Sequence, residues 1–286
     1  LKEVAIYSFW IFLNVIMDRI YWSTGQFVLG AMVGTVAVAV FAVAIQLQHL
    51  YMQFSSAISG LFLPKVTAMV TTSNDSAAIS DLFVRTGRIQ YIIMALILSG
   101  FIVFGRQFIS LWAGPGYEDA YIICILFFVS LLIPLIQNLG ITILQARNQM
   151  KFRSLLYIVI ALVALALQIL LAKQYGGIGC AVAVAGALLL GQGLIMNIYY
   201  SKKQGINIGR FWKEILKMSI VPIVLTTASI FTISNYDINS WGELALAILI
   251  FGIVYIPLFW VFSMNKYERE LVKAPIQKIT QKIVRK

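Results

Sequence analysis

Charge is what this chain has least of. Only 12% of its residues are charged, 60% are hydrophobic, and the mean hydropathy is +0.89. No soluble domain of 286 residues needs that much apolar surface. Histidine occurs once, and the two cysteines, Cys124 and Cys180, both sit in apolar runs. That excludes a metal site built on clustered His and Cys. It also reads the cysteines as packing residues rather than a disulfide. A Ser-His-Asp set, paired acids and a phosphate-cradling glycine loop are missing too, so no enzyme chemistry and no cofactor is expected. Gly114-Pro115-Gly116 is a turn. Acids number 11 against 22 bases, a net charge of +11. This does not point to nucleic acid, because the positives stand in short links beside apolar runs, where membrane topology explains them. The start at Leu1 lacks the basic start, short apolar core and cleavage site of a signal peptide. It reads as the beginning of a fragment.

What is present is a series of eight apolar segments, at about 4–33, 36–63, 87–105, 120–145, 154–172, 178–200, 216–235 and 242–264. Each is long enough to cross a hydrocarbon core at helical rise. The expected fold is all-α, a polytopic bundle of about eight transmembrane helices. Numbering the gaps alternately inside and outside leaves only Arg106 and Lys173 outside and Arg19 within a span; the other 19 of the 22 basic residues fall inside. Such sorting orients a polytopic protein with its basic links and both termini in the cytoplasm.

Three units are expected: residues 1–203, a pair of helices at 204–265, and a basic tail at 266–286. The segment from Tyr199 to Lys217 is the basic hinge between the first two. The longest interior loop is expected from Pro64 to Arg88, with Pro64 ending a helix, a turn at Ser73, Asn74 and Asp75, and Ser76 or Asp81 capping a short interfacial helix. On the exterior side Trp112, Tyr117 and Tyr121 read as an interfacial aromatic belt. In the tail Ile276, Ile279 and Ile283 recur at helical spacing, as in a helix lying on anionic lipid or in a solvated anchor. Glycines 177, 179, 186, 191 and 193 read as close-packing positions.

Polar residues inside spans carry the functional information. Asn14 and Asp18 lie four apart on one helix face, and Arg19 is turned about 100° from Asp18. Charges at such depth cost several kcal/mol in lipid, so they face a watery or protein-lined cavity. Arg19 there attracts an anion, and Asp18 sets its position or carries a coupling ion; the alternative is an interhelix ion pair. Gln46, His49, Gln53 and Ser56 form one stripe on the second segment, with His49 a second candidate for ion coupling. Asn138, Thr142 and Gln145 form another on the fourth, downstream of Pro134, either lining a cavity or joining helices.

The stretches NVIMDRIYWSTGQFVLGAMVGTVAVAVFAVAIQL, LWAGPGYEDAYIICILF and TILQARNQMKFRSLLYIVIALVALALQILLAKQYGGIGCAVA resemble, in this order, oligosaccharide flippases. These form the polysaccharide-export branch of the multidrug/oligosaccharidyl-lipid/polysaccharide exporter superfamily. The resemblance implies two six-helix lobes around a central cavity, often with two extra helices. This chain resembles the second lobe with that extra pair, its partner being an N-terminal lobe upstream. The implied cargo is an undecaprenyl-pyrophosphate-linked sugar unit, flipped across a bacterial inner membrane. By the same resemblance Arg19 meets the pyrophosphate, Asn14, Gln46, Gln53, Asn138 and Gln145 meet sugar hydroxyls, and the last two helices hold the lipid tail. A cation-coupled multidrug antiporter of the same superfamily is the first alternative. A membrane glycan polymerase is the second, and the short exterior loops count against it.

Overall fold

The computed structural model describes residues 2–72, 75–233, 236, 238–271 and 273. All regular structure among them is helical. In chain order come α1 (Lys2–Met32), α2 (Thr35–Thr72), α3 (Ser76–Ala113), α4 (Glu118–Ile136), α5 (Leu139–Ala146) and α6 (Met150–Leu188). A π-helix, Leu189–Ile195, leads into α7 (Met196–Gln204), followed by α8 (Ile208–Ile233) and α9 (Trp241–Phe262). Over its described residues each of the eight predicted segments falls largely on helix. The fourth is broken after Ile136, two residues past Pro134, giving α4 and α5.

Among the described residues six helical stretches are long and apolar enough to cross a membrane, so this is a multi-pass membrane protein. One of them, Met150–Gln204, is 55 residues long and folds back on itself. Its turn is at Gly176, where φ is 55° and ψ is −133°, a conformation that a Cβ strongly disfavours. As a result Phe152 stacks on Tyr199 with centroids 4.1 Å apart. The stretch is an antiparallel hairpin and accounts for two predicted segments. α1, at 31 residues, is also long enough to span.

α1 packs most heavily against α6, α2 against α4, and α3 against α4 and α8. Trp22, Phe41 and Phe127 fill the junction of α1, α2 and α4, with Phe127 edge-on to both partners at 5.5 and 5.6 Å. Outward positions stay apolar; Phe27 and Leu61 are more than 70% exposed. In a bilayer that surface meets lipid rather than water.

Several loop expectations give way to longer helices. Pro64 does not end α2; it lies inside it, and α2 runs on to Thr72. Proline forfeits only one bond, to Gly60, and so long a helix carries the loss. α3 starts at Ser76, capped by Asp75, whose Oδ1 accepts the Ala77 N–H at 2.8 Å. Neither Ser76 nor Asp81 caps a short interfacial helix. Only residues 205–207 of the expected basic hinge are non-helical, and they are tied down: the Asn207 N–H donates to Ser80 Oγ at 2.9 Å, and Arg210 pairs with Asp81. Ser73, Asn74 and the tail isoleucines Ile276, Ile279 and Ile283 lie outside the described residues.

Arg88 is not a loop base. It is 5% exposed and binds Glu214 at 2.7 Å and Glu268 at 2.5 Å, while Nη2 donates to the Ser263 carbonyl at 3.2 Å. One guanidinium thus fastens α3 to α8 and to the segment after α9. Among the expected packing glycines, a Cβ at Gly179 or Gly191 would overlap Leu171 O or Ile160, whereas Gly186 borders open space.

Candidate functional site

Asn14, Asp18, Trp22 and Gln26 recur at helical spacing on α1, with Arg19 and Ser23 beside them, and all six line one cavity of about 570 Å³. The size suits a polar head group. α2 adds Ile45, His49, Met52 and Ser56; α4 adds Leu131, Pro134 and Leu135; Asn138 stands between α4 and α5. The first limb of the hairpin closes the cavity with Arg153 and Tyr157. α1 is held against the hairpin by two polar ties. Tyr21 Oη donates to the Val184 carbonyl at 2.5 Å, and Ser154 Oγ donates to the Trp10 carbonyl at 2.9 Å.

Asp18 lies within electrostatic reach of Arg153, His49 and Arg19, with the Trp22 side chain beside it. Yet no ion pair joins it to either arginine among the described residues. The interhelix ion pair that sequence left open as the alternative is therefore not formed. The charged heads stand around the space instead of closing on one another. His49 aside, two guanidiniums face one carboxylate, so the charges of the lining sum to +1. A cavity walled by helices and filled with donors of that sign draws anions.

Five of the predicted residues, Asn14, Asp18, Arg19, His49 and Asn138, meet at this cavity. Gln46, Gln53 and Gln145 do not line it. Gln46 and Gln53 each follow a lining residue by one position, so they are turned about 100° off that face, and both are exposed. Gln145 lies two turns beyond Asn138 toward the end of α5, half-exposed.

Arg153 and Tyr157 are the cavity residues that sequence reasoning missed. Arg153 is only 6% exposed, and its guanidinium lies over the Tyr157 ring at 4.8 Å. Its signal was the buried face Arg153, Tyr157, Ile160, Ala164 and Gln168, a helical repeat with polar members. A second polar face on α2 was missed as well. Ser55 Oγ donates to the Leu135 carbonyl at 2.7 Å, and Gln90 Nε2 donates to Ser59 Oγ at 2.6 Å. That buried node joins α2, α3 and α4 and lies behind the cavity wall.

Residues 1–122 match a family model described as polysaccharide biosynthesis protein. No curated protein and no solved structure matches the chain. The matched stretch holds Asn14, Asp18, Arg19 and His49, and it ends before Asn138 and Arg153. Over α1 to the start of α4 the chain is thus similar to polysaccharide biosynthesis proteins, and the similarity takes in the half of the cavity that α1 and α2 build.

Proposed function

We propose that this protein translocates an undecaprenyl-pyrophosphate-linked oligosaccharide across a bacterial inner membrane for surface polysaccharide synthesis. One observation carries the reading: Arg19 and Arg153 face an intramembrane cavity from two helices, and neither is neutralised by Asp18. Two guanidiniums without a paired acid, Arg153 buried and Arg19 open to the cavity, favour a doubly charged phosphate group as their partner. Asn14, Asn138 and Tyr157 offer the hydroxyl-binding chemistry a sugar needs. The similarity of residues 1–122 to polysaccharide biosynthesis proteins supports a sugar-bearing cargo. A groove of about 610 Å³ between α3, α8 and α9, lined by Leu225, Ile250 and Val254, suits the polyprenyl chain. In this reading residues 1–203 work as one lobe with an upstream partner lobe, residues 204–265 serve the lipid tail, and both termini are cytoplasmic.

The test is translocation in proteoliposomes. The full-length protein should move a labelled undecaprenyl-pyrophosphate oligosaccharide to the opposite leaflet faster than empty liposomes do; equal rates would sink the proposal.

Asp18 and His49 are the proposed coupling groups, as the two cavity groups besides the arginines whose charge or occupancy can change during a cycle. Asp18→Asn keeps size and removes charge. It should still bind cargo but lose any response of transport to an imposed ion gradient, and His49→Gln should shift the pH dependence. A gradient response unchanged in both variants would remove them from coupling. The same assay decides against the antiporter alternative, which requires efflux of a cationic drug.

A further inference from the structure

The π-helix Leu189–Ile195 interrupts the returning limb of the hairpin beside Arg153. Here the Met196 N–H reaches back five residues to the Gly191 carbonyl. Such turns are rare, and in hydrocarbon their loosened carbonyls need partners. Asn197 supplies them: its Nδ2 donates to the Gly193 carbonyl at 2.6 Å and to the Gln192 carbonyl at 3.3 Å. Asn197 is itself held from two other elements. Its Oδ1 accepts from Gln137 Nε2 at 2.8 Å and from Trp212 Nε1, on α8, at 3.0 Å. Gly191 lets the turn press against Ile160, where a Cβ would overlap that side chain. Ile160 lies two helical turns from Arg153 on the same face of α6.

This brace presents one polar side chain to Arg153, which lines the cavity. Gln192 is 3% exposed, and its Oε1 accepts from Arg153 Nη1 at 3.2 Å. Because that oxygen faces an arginine, the amide orientation is fixed. Two buried donors are then left without a protein partner, Gln192 Nε2 and Arg153 Nε. The surplus is all of donor type, which complements an anionic oxygen and not a cation.

We infer that Gln192, set by the π-helix, is a positioning residue that holds the Arg153 guanidinium at the cavity wall for a phosphate of the cargo. The inference rests on the anion-binding reading of the cavity and adds the device that fixes its second cation. The π turn does what a straight α-helix at this place would not. It shifts the register so that Gln192 meets Arg153, while Asn197, Gln137 and Trp212 hold the shift in place.

The experiment measures binding of undecaprenyl pyrophosphate to the full-length protein in nanodiscs, with the folded fraction checked by thermal unfolding. Gln192→Leu, which removes the acceptor at similar volume, should weaken binding about tenfold. Gln192→Glu should weaken it further, because a carboxylate beside Arg153 cancels its charge. Both effects should vanish in an Arg153→Ala background, where nothing remains to be positioned. Wild-type affinity in both Gln192 variants overturns the inference. So does an equal loss with and without Arg153, which marks mere support of the fold. If Arg153→Ala itself binds like wild type, the anion reading of the cavity fails. If Arg153→Ala binds poorly while the Gln192 variants bind normally, only the positioning role fails.

Discussion

Arg88→Ala should lower the unfolding midpoint of the purified protein by on the order of 10 °C. Arg88 grips Glu268 with two nitrogens, at 2.5 and 3.0 Å, and Glu214 with a third, at 2.7 Å. Removing one partner of a buried pair costs about 3–5 kcal/mol, because the other charge stays buried. Glu268 is 3% exposed and bears most of that cost, although the Asn265 N–H still donates to it at 2.9 Å. Glu214 is 30% exposed, so water recovers part of its share. The loss should fall on the contacts of α8 and α9 with α3. Converting Glu214 and Glu268 to glutamine in the Arg88→Ala protein should restore much of the midpoint, since the stranded charges are then gone. A midpoint equal to wild type in Arg88→Ala, or no recovery in the triple variant, would contradict the account.

The second large effect belongs to the cavity cations. Arg19→Ala and Arg153→Ala should each reduce translocation of the lipid-linked oligosaccharide by about two orders of magnitude, the usual scale for truncating a desolvated charge contact. The double variant should be indistinguishable from empty liposomes. Arg19→Lys should keep part of the activity, because the charge survives and only the planar fork is lost. Folded yield separates this from a structural effect. Arg19 is exposed to the cavity side and bonds to no acid, so its truncation should leave the yield unchanged. Full transport by Arg19→Ala at normal yield would remove it from the cargo site.

Length and hydropathy were enough to put each span on a helix, because lipid demands long apolar runs, but not to set the helix ends: α2 and α3 run through most of the loop expected at 64–88. The α1 residues of the cavity were legible for the converse reason. Charges within an apolar run have few places to go, and Asp18 and Arg19 went there. The failures are about direction. Gln46 and Gln53 share a stripe with His49 but stand one residue past the lining positions, and a period alone does not say where a face ends. Arg153 was counted with Lys151 as a topology signal. Hydropathy starts that segment one residue after it, so its place in the repeat with Tyr157 and Gln168 goes unread and the charge counts only as a boundary mark. Arg88 was lost the same way: its acids, Glu214 and Glu268, lie 126 and 180 residues away in sequence. Gln192 had no visible signal, since a π turn follows from packing against Ile160 and from Asn197, not from local propensity.

The polarity of α1 also sets the order in which this chain is made. A central aspartate and arginine each oppose insertion by about 2.5–3.5 kcal/mol, and each leucine-like residue returns only about 0.3–0.6. α1 is therefore a poor client for the insertion machinery on its own. Its main packing partner is α6, whose Arg153 and Ser154 emerge from the ribosome more than a hundred residues later. Until then α1 has to wait at the interface or beside a chaperone, and it settles fully only as the hairpin arrives. The helix that carries the cavity charges is therefore expected to be seated late, once α6 is in place.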